Sequence, residues 1–304
     1  MRRVLIAGDA HPALAREIAR GSGIALAATS IASFADGETR VRIEDDVRNA
    51  DVVIVQPLSA PANDRLMTLA LLAEAARVAG AQRVSAVVPY FAYARQDVRK
   101  HPGEPRSAQL AARILAAAGI ERVIALELHS PALESAFPMP VVHLQADELL
   151  IPIARERHAL IVAPDAGGLK RAQRYAAALG APLAVVAKTR AGPDVAAPLH
   201  VLGDVRGQAC LIVDDMASTG RTIAGAAQAL AAAGAREVHA MFVHAVMSPG
   251  ALERIRAAGV RSIVTTDSVR ALAEPGVNMV PSGGLFARAV VALNQVVPPP
   301  AGHN

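Results

Sequence analysis

Val213-Asp214-Asp215-Met216-Ala217-Ser218-Thr219-Gly220-Arg221-Thr222 decides how the rest of the chain is read. It follows the apolar run Ala209 to Val213 and opens the Ala-rich segment Ile223 to Ala233, in which Ile223 and Leu230 lie seven residues apart, a helical spacing. The pattern predicts a strand, a tight loop and a helix start. The first turn of a helix has backbone N–H groups without intrahelical partners and carries partial positive charge, so Ser218 to Thr222 is suited to a phosphate dianion. Hydroxyls of Ser218, Thr219 and Thr222 add donors, and Gly220 lets a backbone come close where a side chain would not. Arg221 opposes the helix dipole by a few tenths to about 1 kcal/mol, and a bound anion would reverse that sign. Asp214 and Asp215, acceptor-only groups at the carboxyl end of a strand, suit a vicinal diol. Phosphate donors beside diol acceptors describe a site for ribose 5-phosphate.

The segment resembles the phosphoribosyl-pyrophosphate loop of the phosphoribosyltransferase superfamily: hydrophobic, Asp-Asp, three residues, Thr-Gly, one residue, Thr. The plain alternative is an ordinary strand-to-helix turn with N-cap residues.

At 304 residues the chain has room for two domains of about 150 residues each. Hydrophobic residues make up 53%, aromatic ones only 3%, and no apolar run approaches the roughly 18 residues that span a bilayer. The basic start Met1-Arg2-Arg3 precedes an apolar run that stops at Asp9, too short for a signal peptide. A single cysteine, Cys210, excludes a disulfide framework and a thiolate metal site. The expected protein is therefore soluble, cytoplasmic and without a membrane partner. A net charge of +4 and a pI of 9.7 favour acidic ligands. Nucleic acid is disfavoured, because stacking aromatics are scarce and no basic tract or recognition-helix motif is present.

Upstream, Val4 to Gly8 reads as a strand and Pro12 to Arg20 as a helix with proline in its first turn. Phe34-Ala35-Asp36-Gly37-Glu38 lies between extended segments, and by itself is a hairpin turn. Asp51 to Gln56 is a buried strand, and Asn63 to Ala79 a helix whose apolar face carries Leu66, Leu69, Ala73 and Ala76. The strand Arg83 to Pro89 runs into Tyr90-Phe91-Ala92-Tyr93-Ala94-Arg95-Gln96-Asp97 and then a basic loop, Val98 to Arg106, read as a mobile binding loop rather than a merely solvated one. After the helix Ser107 to Ala118, the strand Val123 to Leu128 ends in His129, at the edge where open parallel sheets bind ligands; a structural histidine is the alternative.

Pro138 and Pro140 before a strand at Val141 to Leu144 mark a domain join, giving domains 1–144 and 145–304. From Ala159 the pattern restarts. Leu160 to Ala163 is a strand ending in Pro164-Asp165-Ala166-Gly167-Gly168, followed by a helix with Lys170, Arg171 and Arg174. Leu183 to Ala187 delivers Lys188, Thr189 and Arg190 into a turn, and Val195 to Gly203 returns as an antiparallel strand. Strands at Val238 to His244 and Ser262 to Thr265 alternate with helices near Ala251 to Ala258 and Leu285 to Asn294. Histidines 11, 143, 200, 239 and 244 are given no chemistry. Repeated βα units in both halves imply an α/β protein with two similar doubly wound parallel-sheet domains.

Taken together, Phe-Ala-Asp-Gly-Glu, Pro-Tyr-Phe-Ala-Tyr-Ala-Arg-Gln-Asp, Glu-Leu-His-Ser, Pro-Asp-Ala-Gly-Gly, Lys-Thr-Arg and the Asp-Asp loop resemble the ribose-phosphate pyrophosphokinase family over nearly the whole chain. The resemblance implies domains of phosphoribosyltransferase type and transfer of the diphosphoryl group of ATP to O1 of ribose 5-phosphate. It implies Lys188 and Arg190 as catalytic residues. Phe34, Asp36, Glu38, Arg95, Gln96, Asp97 and His129 would bind ATP. Asp214, Asp215, Ser218, Thr219, Gly220, Arg221 and Thr222 would bind ribose 5-phosphate. His129 and Asp165 would lie around Mg²⁺. Phe34, Asp36 and Glu38 would reach the adenine of a neighbouring subunit, which implies a homo-oligomer, a dimer or a multiple of dimers. Chemistry qualifies one of these roles: histidine is a poor direct Mg²⁺ ligand, so His129 would contact the ion through water or bind phosphate. Ser218, Arg221 and Thr189 depart from the commonest family pattern. A regulatory subunit without catalysis is the rival, against which Lys188 and Arg190 weigh; a transferase consuming the activated sugar is a weaker one.

Overall fold

A computed structural model describes residues 1–188, 199–270, 272 and 274–293. The chain divides into two compact units, the first made of Met1–Leu144, Ser268–Arg270 and Pro281–Asn304, the second of Gln145–Asp267 and Ala271–Val280.

The first unit runs β1 (Arg3–Ala7), α1 (Pro12–Ser22), β2 (Leu26–Ala27), a hairpin of β3 (Thr29–Ser33) and β4 (Thr39–Ile43), β5 (Asp51–Val55), α2 (Ala62–Val78), β6 (Arg83–Val88), α3 (Ser107–Ala117), β7 (Arg122–Leu126), a 3-10 helix (Pro131–Ala136) and β8 (Val141–Leu144). Its six-stranded sheet has the order β2-β1-β5-β6-β7-β8, with every neighbouring pair parallel. The central strand β5 is buried along its whole length, which is why it reads as an unbroken apolar run after Asp51. Asp51 tolerates this burial because Arg3 chelates one of its carboxylate oxygens at 3.0 and 2.9 Å.

The second unit runs α4 (Asp147–Arg155), β9 (Leu160–Ala163), α5 (Leu169–Leu179), β10 (Leu183–Lys188), β11 (Leu199–Leu202), β12 (Ala209–Ala217), α6 (Arg221–Ala232), β13 (Glu237–Ala245), α7 (Ala251–Ala257), β14 (Val260–Thr266) and β15 (Val277–Val280). Its seven strands follow the order β11-β10-β9-β12-β13-β14-β15, and only β11 pairs antiparallel. Val162, Ile212, Phe242, Leu230 and Ile255 are fully buried where the sheet meets its helices. The chain steps from β9 outward to β10 and β11, then returns to the other side of β9 as β12. That reversal makes a crevice at the carboxyl ends of β9 and β12, the place where doubly wound sheets bind ligands.

The last helix, α8 (Gly283–Ala292), groups with the first unit by its contacts. Small residues bring α8 onto α1: an added Cβ would lie 3.0 Å from the Ala287 side chain at Gly21, and 2.7 Å from that of Glu17 at Gly283. Arg3 also donates to Val290 O at 2.6 Å, and Arg122 to Leu293 O at 2.7 Å. Compactness at that end follows side-chain contacts, which chain order does not reveal. The antiparallel strand expected from Val195 is described from Leu199 on. α4, β15 and the 3-10 helix are elements that the apolar pattern did not announce; α4 even carries Pro152 inside it.

Candidate functional site

β12 is longer than its apolar run. It pairs with β9 only as far as Ile212 beside Val162, but with β13 up to Ala217 beside Ala245. Asp214 and Asp215 therefore stand inside the strand, past the end of β9, where they were expected at a strand end. Their side chains are 14% and 6% exposed. The Asp215 amide donates to Asp214 Oδ1 at 2.9 Å. Arg171, in the first turn of α5, reaches over to them from the other wall of the crevice: its Nη1 lies 3.7 Å from Asp214 Oδ1 and 3.8 Å from Asp215 Oδ1. Burial, and next the charge of Asp215, hold the Asp214 carboxyl well above the usual aspartate range, while Arg171 pulls the other way. Arg171 faces both acids at distances beyond a hydrogen bond, so it acts on the pair through charge.

Gly220 caps α6 with φ +72°. A Cβ there would fall 2.7 Å from Ala251 O, so in this fold the glycine answers to a left-handed backbone and to the close approach of α7. The carbonyls of this loop are taken up: Ala217 O by the Met247 amide at 2.9 Å, Ser218 O by the Ser248 amide at 2.9 Å, and Thr219 O by Arg254 Nη1. Its amides are mostly not taken up. Arg221 N meets Thr219 Oγ1 at 3.4 Å, while those of Ser218, Thr219, Gly220 and Thr222 have no partner among the described residues. Thr219, Arg221 and Thr222 are exposed and Ser218 half-buried, so a loop rich in unspent donors faces outward.

Two further strands end beside it. After β9, Asp165 accepts from the Gly168 amide at 3.1 Å through Oδ1, a turn-closing role, and its Oδ2 has no protein partner among the described residues. β10 ends at Lys188, level with Leu199 of β11; the backbone there is described, whereas Arg190 lies outside the described residues. The structure thus brings Asp165, Arg171, Asp214, Asp215 and Ser218 to Thr222 to the carboxyl edge of β9 and β12, with the end of β10 alongside. Arg171 is the member that sequence reasoning left unassigned. The signal was present: like Arg221, it is a cation in the first turn of a helix, where the dipole disfavours it unless anions are near.

In the first unit, Arg95, Gln96 and Asp97 follow β6, and His129 follows the adjacent strand β7, so both groups leave the carboxyl edge of paired strands. Arg95, Gln96 and His129 are exposed. Tyr93, at φ +63°, donates its hydroxyl to Asn63 Oδ1 at the start of α2, and its carbonyl accepts from the Gln96 amide at 2.8 Å. Gln96 Oε1 takes the Ser107 hydroxyl at 2.5 Å. Phe34, Asp36 and Glu38 form the exposed tip of the β3–β4 hairpin, closed by Phe34 N to Glu38 O at 2.8 Å and Glu38 N to Asp36 Oδ1 at 3.1 Å. The hairpin reading holds, and the hairpin is a sheet of its own. Arg40 stacks over Phe34 at 5.8 Å.

Among the described residues no three His, Cys, Asp or Glu side chains cluster to hold a metal, and the sequence-predicted pair His129 and Asp165 belongs to different units. No helix among them is long and apolar enough to cross a membrane.

Residues 3–119 match the N-terminal domain of ribose phosphate pyrophosphokinase, and residues 145–278 the phosphoribosyl transferase domain. The chain is 38% identical to a ribose-phosphate pyrophosphokinase of Bradyrhizobium diazoefficiens over 294 residues, covering 94% of this chain and 93% of that one. It is 40% identical to the chloroplastic ribose-phosphate pyrophosphokinase 1 of Arabidopsis thaliana over 274 residues, covering 88% and 68%. The crystal structure of phosphoribosylpyrophosphate synthetase from Mycobacterium smegmatis superposes with a TM-score of 0.91 at 33% identity, covering 97% of this chain and 99% of that one.

Proposed function

The chain belongs to the ribose-phosphate pyrophosphokinase family, and from that premise we infer how its own residues serve the family's reaction. The protein is an enzyme that transfers the diphosphoryl group of ATP to O1 of ribose 5-phosphate, giving 5-phosphoribosyl 1-diphosphate and AMP. A bond forms between O1 and the β-phosphorus, and the bond from that phosphorus to the oxygen leaving with AMP breaks. Such a transfer needs little covalent help; alignment and positive charge on the oxygens that gain negative charge supply most of the acceleration.

One observation carries the assignment of the acceptor site: at the crevice between β9 and β12, two largely buried carboxylates stand next to a loop in which four amides have no partner among the described residues. Asp214 and Asp215 accept from the ribose hydroxyls. Ser218, Thr219, Gly220, Arg221 and Thr222 hold the 5-phosphate. Lys188 and Arg190 neutralise the group in flight. Arg95, Gln96, Asp97 and His129 bind ATP. Phe34, Asp36 and Glu38, exposed at a hairpin tip, take the adenine of a second copy, so the enzyme is a homo-oligomer, a dimer or a multiple of dimers.

The donors fit a Mg²⁺ that arrives on the ATP phosphates. Such an ion keeps several waters and asks the protein for one or two carboxylates, and the Oδ2 of Asp165 provides one. Bound there, it would draw charge from the phosphate oxygens. His129, with nitrogen ligands, would contact such an ion through water or bind phosphate. The buried Cys210, whose thiol desolvation pushes up to about 11, is unreactive and fits the reducing cytoplasm.

The test is AMP formation by the purified protein with ATP, Mg²⁺ and ribose 5-phosphate, set against Lys188→Ala. That variant should slow turnover about a hundredfold or more while leaving both Michaelis constants within about threefold. Equal losses in binding and turnover would remove Lys188 from the transition state.

A further inference from the structure

The turn that carries His129 is held from behind by a histidine of its own. The Leu128 amide donates to His143 Nε2 at 2.9 Å. A ring nitrogen that accepts bears no hydrogen, so the proton of the neutral imidazole sits on Nδ1, which lies 2.7 Å from Glu134 Oε1 and donates to it. The three partners come from three elements: Leu128 from the turn after β7, His143 from β8, Glu134 from the 3-10 helix. The His143 side chain is 13% exposed, and that of Glu134 is 49% exposed.

The turn needs such support. Glu127 is buried and adopts φ +41°, a conformation that a residue with a side chain keeps only when its surroundings impose it. Its amide donates to Leu144 O at 2.8 Å. β8 therefore grips the turn twice, at Glu127 through backbone and at Leu128 through the His143 ring, immediately before the exposed His129. On the far side Ser130 Oγ accepts from the Ala132 amide at 3.1 Å and starts the 3-10 helix that returns Glu134 to His143. The loop of contacts closes on itself, with the exposed His129 within it.

We propose that His143 and Glu134 are positioning residues for His129, holding its turn through the Leu128 amide in the orientation that receives ATP. The inference rests on the reading of His129 as an ATP contact. Two isosteres separate the halves of the device. In His143→Gln the side-chain oxygen can still accept near the place of Nε2; in His143→Asn a donor toward Glu134 survives but the Leu128 amide loses its acceptor. On the full chain, His143→Asn is expected to raise the Michaelis constant for ATP about five- to tenfold, with that for ribose 5-phosphate within about twofold. His143→Gln is expected to stay near the parent, and Glu134→Gln, at a half-exposed position, gives a smaller rise of the same kind if His143→Asn fails to fold. Ring-nitrogen NMR of the parent, with the signal assigned by its loss in His143→Asn, should show Nδ1 protonated and Nε2 bare.

A proton on Nε2, or a rise shared equally between the two substrates, would overturn the proposal. His129→Ala decides where a failure lies. If it weakens ATP while His143→Asn does not, the positioning role is wrong and the ATP contact stands; if it leaves ATP unaffected, both fall.

Discussion

Asp214 stands 3.7 Å from the guanidinium of Arg171, near enough for charge to act and too far for a hydrogen bond. Asp215 lies at a similar remove from the same guanidinium, and both carboxylates sit where water reaches them poorly. This is a poor arrangement for a protein that only has to fold. It suits one that must wait for hydroxyl donors, and it sets stability against binding at a single residue.

Asp214→Asn should therefore make the empty protein more stable and the enzyme worse. The carboxyl is held above its unfolded value of 3.8 by burial and by Asp215. Between the unfolded and folded values the folded state binds more protons, so stability declines as pH rises through that window and the full penalty persists above it. Asparagine removes the charge and keeps Oδ1 for the Asp215 amide. Thermal midpoints should rise by a few degrees at pH 8 and less at pH 4, while calorimetry shows ribose 5-phosphate binding about ten- to a hundredfold more weakly. A melting point unchanged at both pH values would mean that the acid is not penalised in the folded protein.

Arg171→Met should act in the opposite sense on the same pair. Without the cation, Asp214 holds its proton to still higher pH, so if ribose 5-phosphate uses the carboxylate as acceptor, as proposed, its binding should lose its acid limb at a higher pH than in the parent. Arg171→Lys should restore most of the difference. Titration of affinity from pH 5 to pH 9 reads this directly; a parallel profile at lower affinity would make Arg171 a phosphate contact instead.

What could be read from the chain, and what could not, divides along physical lines. β5, β9 and the first half of β12 announce themselves because a strand buried on both faces carries a near-continuous apolar run. Asp214 and Asp215 were legible as a pair because acids directly after such a run are costly without a purpose. Their place within β12 was not, since strand length there is set by β13, a partner 28 residues downstream in register. Arg171 and His143 escaped for a related reason: each acts on a residue far along the chain, with no pattern to tie the two together. α8 was recognised as a helix, yet the small residues that seat it on α1 carry no label of their destination.

Gly220→Ala tests how much of the phosphate loop is built for its ligand and how much for its neighbours. The φ of +72° and the 2.7 Å approach of a Cβ to Ala251 O together should cost about 1–3 kcal/mol and push α7 away from the loop. Gly207 provides the control, with φ +69° and nothing within 4 Å of its Cβ, so Gly207→Ala carries the backbone cost alone, about 1 kcal/mol. Chemical denaturation should rank Gly220→Ala the less stable of the two, and only that variant should also lose affinity for ribose 5-phosphate.

The turn-closing bond of Asp165 and the Mg²⁺ role proposed for it can be separated by a single substitution. Its Oδ1 closes the turn after β9 by accepting from the Gly168 amide, and an asparagine oxygen can accept in the same place. What asparagine lacks is the negative charge that a hard, strongly hydrated cation requires of its protein ligand. Asp165→Asn should accordingly melt within about 2 °C of the parent, because the turn is intact, while the Mg²⁺ concentration for half-maximal AMP formation rises about tenfold or more. Asp165→Ala removes both uses and should lower the melting point as well, by an amount corresponding to a lost cap of about 1 kcal/mol. If the asparagine variant shows the parent's Mg²⁺ dependence, Asp165 is a turn residue only, and the ion must be held by the substrate phosphates with water or by another carboxylate.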